Sequence, residues 1–243
     1  MAIAVFLVSH WFLSLFGQTF FHHRYASHRM FRMSPFWERI FFFYTFVTQG
    51  SSYLQPKAYA IMHRLHHQHS DTARDPHSPQ FFKGAVQMMW STFRMYRGLV
   101  EGTLQYSATL SKNVPEWSAL DRIADPWVTR VFFMVSYATF YFFFATQWWM
   151  WLFLPLHFVM GPVQGAIVNW CGHKYGYVNF VDTNDNSRNV VPIDVVLCGE
   201  LFQNNHHKFP SRPNFAFRIF ELDPTYPVIR LLGLMRIIHL TRA

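Results

Sequence analysis

The chain has 243 residues, enough for one domain of ordinary size; 51% are hydrophobic and only 14% are charged. Soluble domains carry nearer a quarter charged residues, so this balance, with its 28 phenylalanines, excludes an ordinary soluble fold and points to an integral membrane protein with a substantial polar part. The net charge of +8 contains no basic run set in a nucleic-acid motif, and two cysteines, Cys171 and Cys198, make neither a disulfide framework nor a CxxC zinc site.

Residues 2 to 21 carry no charge and are long enough to cross a hydrocarbon core. They lack the basic start and small-residue cleavage site of a secretory signal, so the segment predicts a first span, with His10 facing other protein or making a local bond. His23 and His28 follow, five residues apart. On an α-helix that is about 140° of rotation, which suits ligands for neighbouring metals or one metal approached from two sides. His22 reads as a bystander. Residues 40 to 56 begin apolar and soften at Gln49-Gly50-Ser51-Ser52, which predicts a re-entrant or interfacial helix.

Next comes Met62-His63-Arg64-Leu65-His66-His67-Gln68-His69, running on to Asp75-Pro76-His77. His63, His66 and His67 stand at i, i+3 and i+4, on one face of a helix. Neutral imidazole is the commonest side-chain metal ligand, so this face predicts a metal site. Residues 81 to 130 mix charges with aromatics and predict helices at the membrane surface or in a cytoplasmic cap.

Residues 131 to 173 contain no Asp, Glu, Lys or Arg, enough for two spans near 131–150 and 152–172. Trp148, Trp149 and Trp151 fall where an interfacial belt would lie, and Pro155, Gly161, Pro162 and Gly165 predict a kinked second helix. That helix runs into Asn169 and His173. After a polar stretch, Gln203, His206 and His207 repeat the i, i+3, i+4 spacing.

All 21 lysines and arginines lie in residues 22–130 and 174–243, which places both basic stretches in the cytoplasm and the N-terminus outside. The histidine clusters then meet on one side only if residues 40 to 56 dip in and return or lie along the interface. The expected fold is an all-α integral membrane protein: one domain over 1–243, three to four spans plus the dipping helix, and a cytoplasmic helical cap. Eight imidazoles, at His23, His28, His63, His66, His67, His173, His206 and His207, exceed one metal's need, and Gln203 and Asn169 add possible amide ligands. Four-coordinate zinc rarely takes so many; two irons beside apolar helices suit oxygen activation on a lipid chain. No serine nucleophile elbow, P-loop or dinucleotide-binding glycine motif is present.

The set His23-x4-His28, His63-x2-His66-His67 with Asp75-Pro76-His77, Asn169-x3-His173 and Gln203-Asn204-Asn205-His206-His207 resembles the histidine boxes of the membrane fatty acid desaturases, over residues 18 to 234. The branch it is most similar to is the acyl-CoA Δ9, or stearoyl-CoA, type. The resemblance implies two iron ions held by the eight histidines, with Asn169 reaching iron through a water and His69 and His77 outside the ligand set. It implies use of O2 and two electrons to place a cis double bond in a saturated acyl chain, with acyl-CoA the expected substrate. One departure stands out: Gln203 occupies a position that is usually His in the family. No His-Pro-Gly-Gly motif of a fused cytochrome b5 is present, so a separate donor (cytochrome b5, ferredoxin or a reductase) is expected. The competing readings are a histidine-box hydroxylase of a lipid or hydrocarbon and a non-catalytic metal-handling membrane protein.

Overall fold

A computed structural model describes residues 1–241. The first helix, α1 (Ala2–Ser27), does not stop at Phe21 as expected but continues through the polar residues His22 to Ser27. It can do so because that end is buried in protein rather than lipid: Thr19, His22, His23 and Arg24 are all buried. From Gly17 onward the helix is wound as a π-helix, with i→i+5 hydrogen bonding.

After a short strand β1 (Phe31–Met33), helix α2 (Pro35–Gln49) starts on a Ser34 cap followed by proline, a favoured helix start. It runs back along α1. The Tyr44 hydroxyl donates to the Leu13 carbonyl at 2.9 Å, and Gly17 lets the backbone approach Thr45. At Gly50, φ is +51°, which a side chain other than glycine rarely adopts, and the chain reverses. A Cβ there would also strike the Tyr137 hydroxyl. Helix α3 (Pro56–His69) then returns to the polar end of α1, carrying the second histidine cluster to the first.

Helix α4 (Ala85–Val100) covers α3, the short α5 (Ser118–Ala124) packs its Leu120 and Ala124 into the main core, and α6 (Trp127–Phe144) follows. The return passes through α7 (Trp148–Phe158) and α8 (Met160–Gly172), which meet at a 73° bend. Pro162 sits in the first turn of α8, where its missing N–H and its ring prevent α7 from continuing straight. Among the described residues two helices are long and apolar enough to span a bilayer, α1 and α6, or three if α7 and α8 form one broken span. Three is the low end of the expected count, and two falls below it.

The chain ends with α9 (Gln203–Lys208), α10 (Thr225–Leu234) and β2 (Ile238–Leu240). β2 pairs antiparallel with β1, Phe31 opposite Leu240, in a two-stranded ribbon that three-residue segments do not announce in sequence. The main core, Phe20, Phe21, Tyr25, Phe31, Phe42, Phe202, Phe215 and Ile229 among others, lies under the histidine end of α1.

His10 is locked inside the helical bundle. Its Nδ1 lies 2.7 Å from Nδ1 of His157, whose Nε2 meets the Tyr141 hydroxyl at 3.0 Å. Three helices are thereby joined by polar contacts where no water competes. His157→Phe is expected to lower stability by about 1 kcal/mol, the size of such interhelical bonds. His10→Phe/His157→Phe should lose less than the sum of the single changes. Thermal unfolding in detergent checks this, and strict additivity would remove the coupling.

Candidate metal centre

Every predicted histidine reaches one end of the bundle. α1 supplies His23 and, just past its end, His28. α3 supplies His63, His66 and His67, the end of α8 gives His173, and α9 carries His206 and His207. The α-helical angle between His23 and His28 does not apply. The π-helical turn bonds the His28 N–H to the His23 carbonyl at 3.2 Å, so residues five apart stack and both imidazoles face one point.

The imidazoles fall into two groups. His23, His28, His63, His67 and His206 form one; His66, His173 and His207 form the other. Neighbouring residues therefore part company: His67 and His206 turn one way, His66 and His207 the other.

In the first group the Nε2 atoms form a chain of contacts: His28 to His63 at 2.7 Å, His63 to His67 at 3.0 Å, His67 to His206 at 2.9 Å and His206 to His23 at 3.0 Å. His23 Nδ1 lies 2.5 Å from Glu200, and a carboxylate only accepts, so Nδ1 bears the proton and Nε2 the lone pair. Each neutral nitrogen further along can donate once at most. Protons therefore fill no more than half of the four contacts, and the remaining lone pairs face each other. A cation satisfies all five at once.

The second group makes the same case more sharply. Nδ1 of His66 lies 2.9 Å from Asp75, that of His173 2.8 Å from Asp71, and that of His207 2.5 Å from Asp185. All three Nε2 atoms are then bare acceptors. Those of His66 and His207 stand 3.2 Å apart with no proton available between them, and that of His173 is buried with no partner. Such anchoring of Nδ1 by a carboxylate is the usual outer support of a metal-binding imidazole.

Burial, and then repulsion among neighbours, pushes the His63, His66, His67 and His206 imidazoles well below the ordinary histidine range, so they stand neutral, as ligands must. Burial alone would raise the carboxyl of Asp71, but its hydrogen bond with His173 holds it well below the usual range; His207 does the same for Asp185. Glu200 is also bound by Arg24, which reaches on to Asp223 at 2.7 Å.

The sequence reading missed these four carboxylates. Asp75 had been noted only as part of a motif. Gln203 has its amide nitrogen committed to the Glu200 carbonyl at 2.7 Å, and its side chain lies where a Cβ on Gly172 would stand. It and Asn169, whose amide nitrogen donates to Gly165, line a cavity beside the histidines. His22 bonds the Leu54 carbonyl and belongs to neither group. His69 stands outside both. His77 is buried against His66, and its only grouping is with His66 and Asp75.

The cavity, about 530 Å³, runs between α4 and α8. His23 and His63 form part of its wall, with Met89, Trp90, Phe93, Val163 and Ala166 among its apolar lining. An apolar pocket that ends on a nest of imidazoles can hold a hydrocarbon chain against a metal.

The sequence profile of the fatty acid desaturase family matches residues 1–228. The chain belongs to that family. It is 29% identical over 241 residues to the sn-1 stearoyl-lipid 9-desaturase of Anabaena variabilis, covering 96% of this chain and 81% of that one. It is 28% identical to the acyl-CoA 5-desaturase AL21 of Anemone leveillei, over 90% of this chain and 64% of the relative. It is 30% identical to the Delta-9 desaturase-like 4 protein of Arabidopsis thaliana, over 93% and 71%.

Proposed function

We propose that the protein is an O2-dependent desaturase that places a cis double bond, of Δ9 type, in a saturated acyl chain. One observation carries this: His23 and His63, members of the five-histidine group, form part of the wall of an apolar cavity. Overall, two hydrogens leave adjacent methylenes and, with O2, two electrons and two protons, become two waters. Two iron ions are the metals that the imidazole-rich donor set suits, and when bound they supply the oxygen activation. The eight histidines would hold them, five at one position and three at the other, with Gln203 and Asn169 in the adjoining cavity wall.

The chain's own residues do the rest. Asp71, Asp75, Asp185 and Glu200 fix each anchored ring with Nε2 inward. The apolar walls exclude water and hold the chain beside the histidines. The reaction draws two electrons from a donor, and the charge bias supports a cytoplasmic histidine end. Fatty-acid profiling after expression in a host lacking unsaturated chains tests the reading. New cis-monoenes are expected; hydroxylated chains would favour a hydroxylase, and an unchanged profile would contradict both.

Gln203 lies against Gly172, next to His173 of the three-histidine group, and so bears on the second position. An amide is a weaker iron ligand than imidazole, so the three-histidine position is expected to be the more exchangeable. Gln203→His should slow loss of metal there by up to about tenfold, within the range of metal-site support effects. Metal content during dialysis against a chelator reads it; an unchanged rate would place residue 203 outside the site.

A further inference from the structure

Resting on the desaturase reading, we propose that the acyl chain enters the cavity sideways from the bilayer, as part of a membrane glycerolipid, and not on a soluble thioester carrier. The rim shows this first. The cavity residues that are also most exposed are Val86 at 86%, Trp90 at 59%, Val159 at 46% and Phe93 at 43%. All four are apolar, and they come from α4 and from the junction of α7 with α8. Val86, Trp90 and Phe93 follow i, i+4, i+7 spacing along α4, the apolar face of a helix lying in the membrane interface. α7 and α8 together are apolar enough for a broken span, so on this proposal the opening between them and α4 faces hydrocarbon.

Charge points the same way. Among the described residues no lysine or arginine lines the cavity, and its fixed charge is the negative Glu200. A coenzyme A carrier brings several phosphates, which proteins meet with Arg and Lys in charge-assisted bonds. The exposed cavity residues at this mouth are valine, tryptophan and phenylalanine, and the nearby cations of this helix region, Lys83 and Arg94, stand outside the lining. A glycerolipid asks for no such bonds, because its head group stays at the membrane surface while one chain turns inward. Along α8, Gly165 leaves the path open: a Cβ there would touch nothing within 4 Å.

The test is photolabelling in proteoliposomes with phosphatidylglycerol carrying a diazirine in one stearoyl chain. Adducts are expected on peptides containing residues 85–96 and 159–169. They should be lost in Gly165→Trp, which fills the path, and reduced in Val86→Asp, which charges an exposed rim position without disturbing the core. Excess stearoyl-CoA should leave them unchanged. Removal of the lipid adducts by stearoyl-CoA, or their absence from both peptides, would overturn the proposal. Cavity adducts without any double-bond formation would leave lateral access standing and remove the desaturase reading instead.

Discussion

His67→Ala is expected to abolish double-bond formation, with a fall of more than about 100-fold, while the chain stays folded in the membrane. Its Nε2 touches both His63 and His206, so it is the middle of the five-imidazole chain. Loss of an outer support already costs about 10- to 100-fold at metal sites, and loss of a ligand costs more. His67 is partly accessible and lies near the end of α3, so alanine, the strongest helix former, leaves the helix intact. His207→Ala should do the same through the other group. Metal analysis separates the two: each variant should lose mainly the metal of its own position. Wild-type turnover in either would remove that histidine from the site.

The second large effect concerns a carboxylate. Asp71 accepts from His173 Nδ1 at 2.8 Å and from the Asn186 N–H at 2.7 Å, and the Ser78 hydroxyl donates to it at 2.6 Å. It thus fixes the ring whose Nε2 is buried with no partner. Asp71→Asn keeps the size but can present N–H to the ring, which favours the opposite tautomer and moves the lone pair away from the metal. Affinity at the three-histidine position should fall by about 10- to 100-fold, with the five-histidine position little changed. Iron content at graded chelator concentration reads both positions; equal loss from both would mean that Asp71 acts on the fold as a whole.

These two residues also show what the sequence makes legible. His67 could be found because a helix writes its face into a spacing of three and four residues, and because a charge-free run announces a span. Asp71 could not. It lies 102 residues from His173, and Glu200 lies 177 from His23. A lone carboxylate in a polar stretch has no periodicity, and only the folded chain brings it to its ring. The division of the histidines into five and three was hidden for a related reason: His66 and His67 are adjacent in sequence and part only by side-chain direction. The π-helical end of α1 is hidden because its five-residue repeat is not the α-helical period that spacing of apolar residues reveals. The pairing of His10 with His157 is another contact across the bundle, 147 residues apart, between two histidines with no local pattern.

The most direct test is iron per chain, measured on purified protein together with double-bond formation on a saturated acyl chain. Close to two irons per chain are expected, with turnover falling as either is removed and returning when iron is restored. Undiminished double-bond formation in protein stripped of iron would contradict the assignment of the eight histidines.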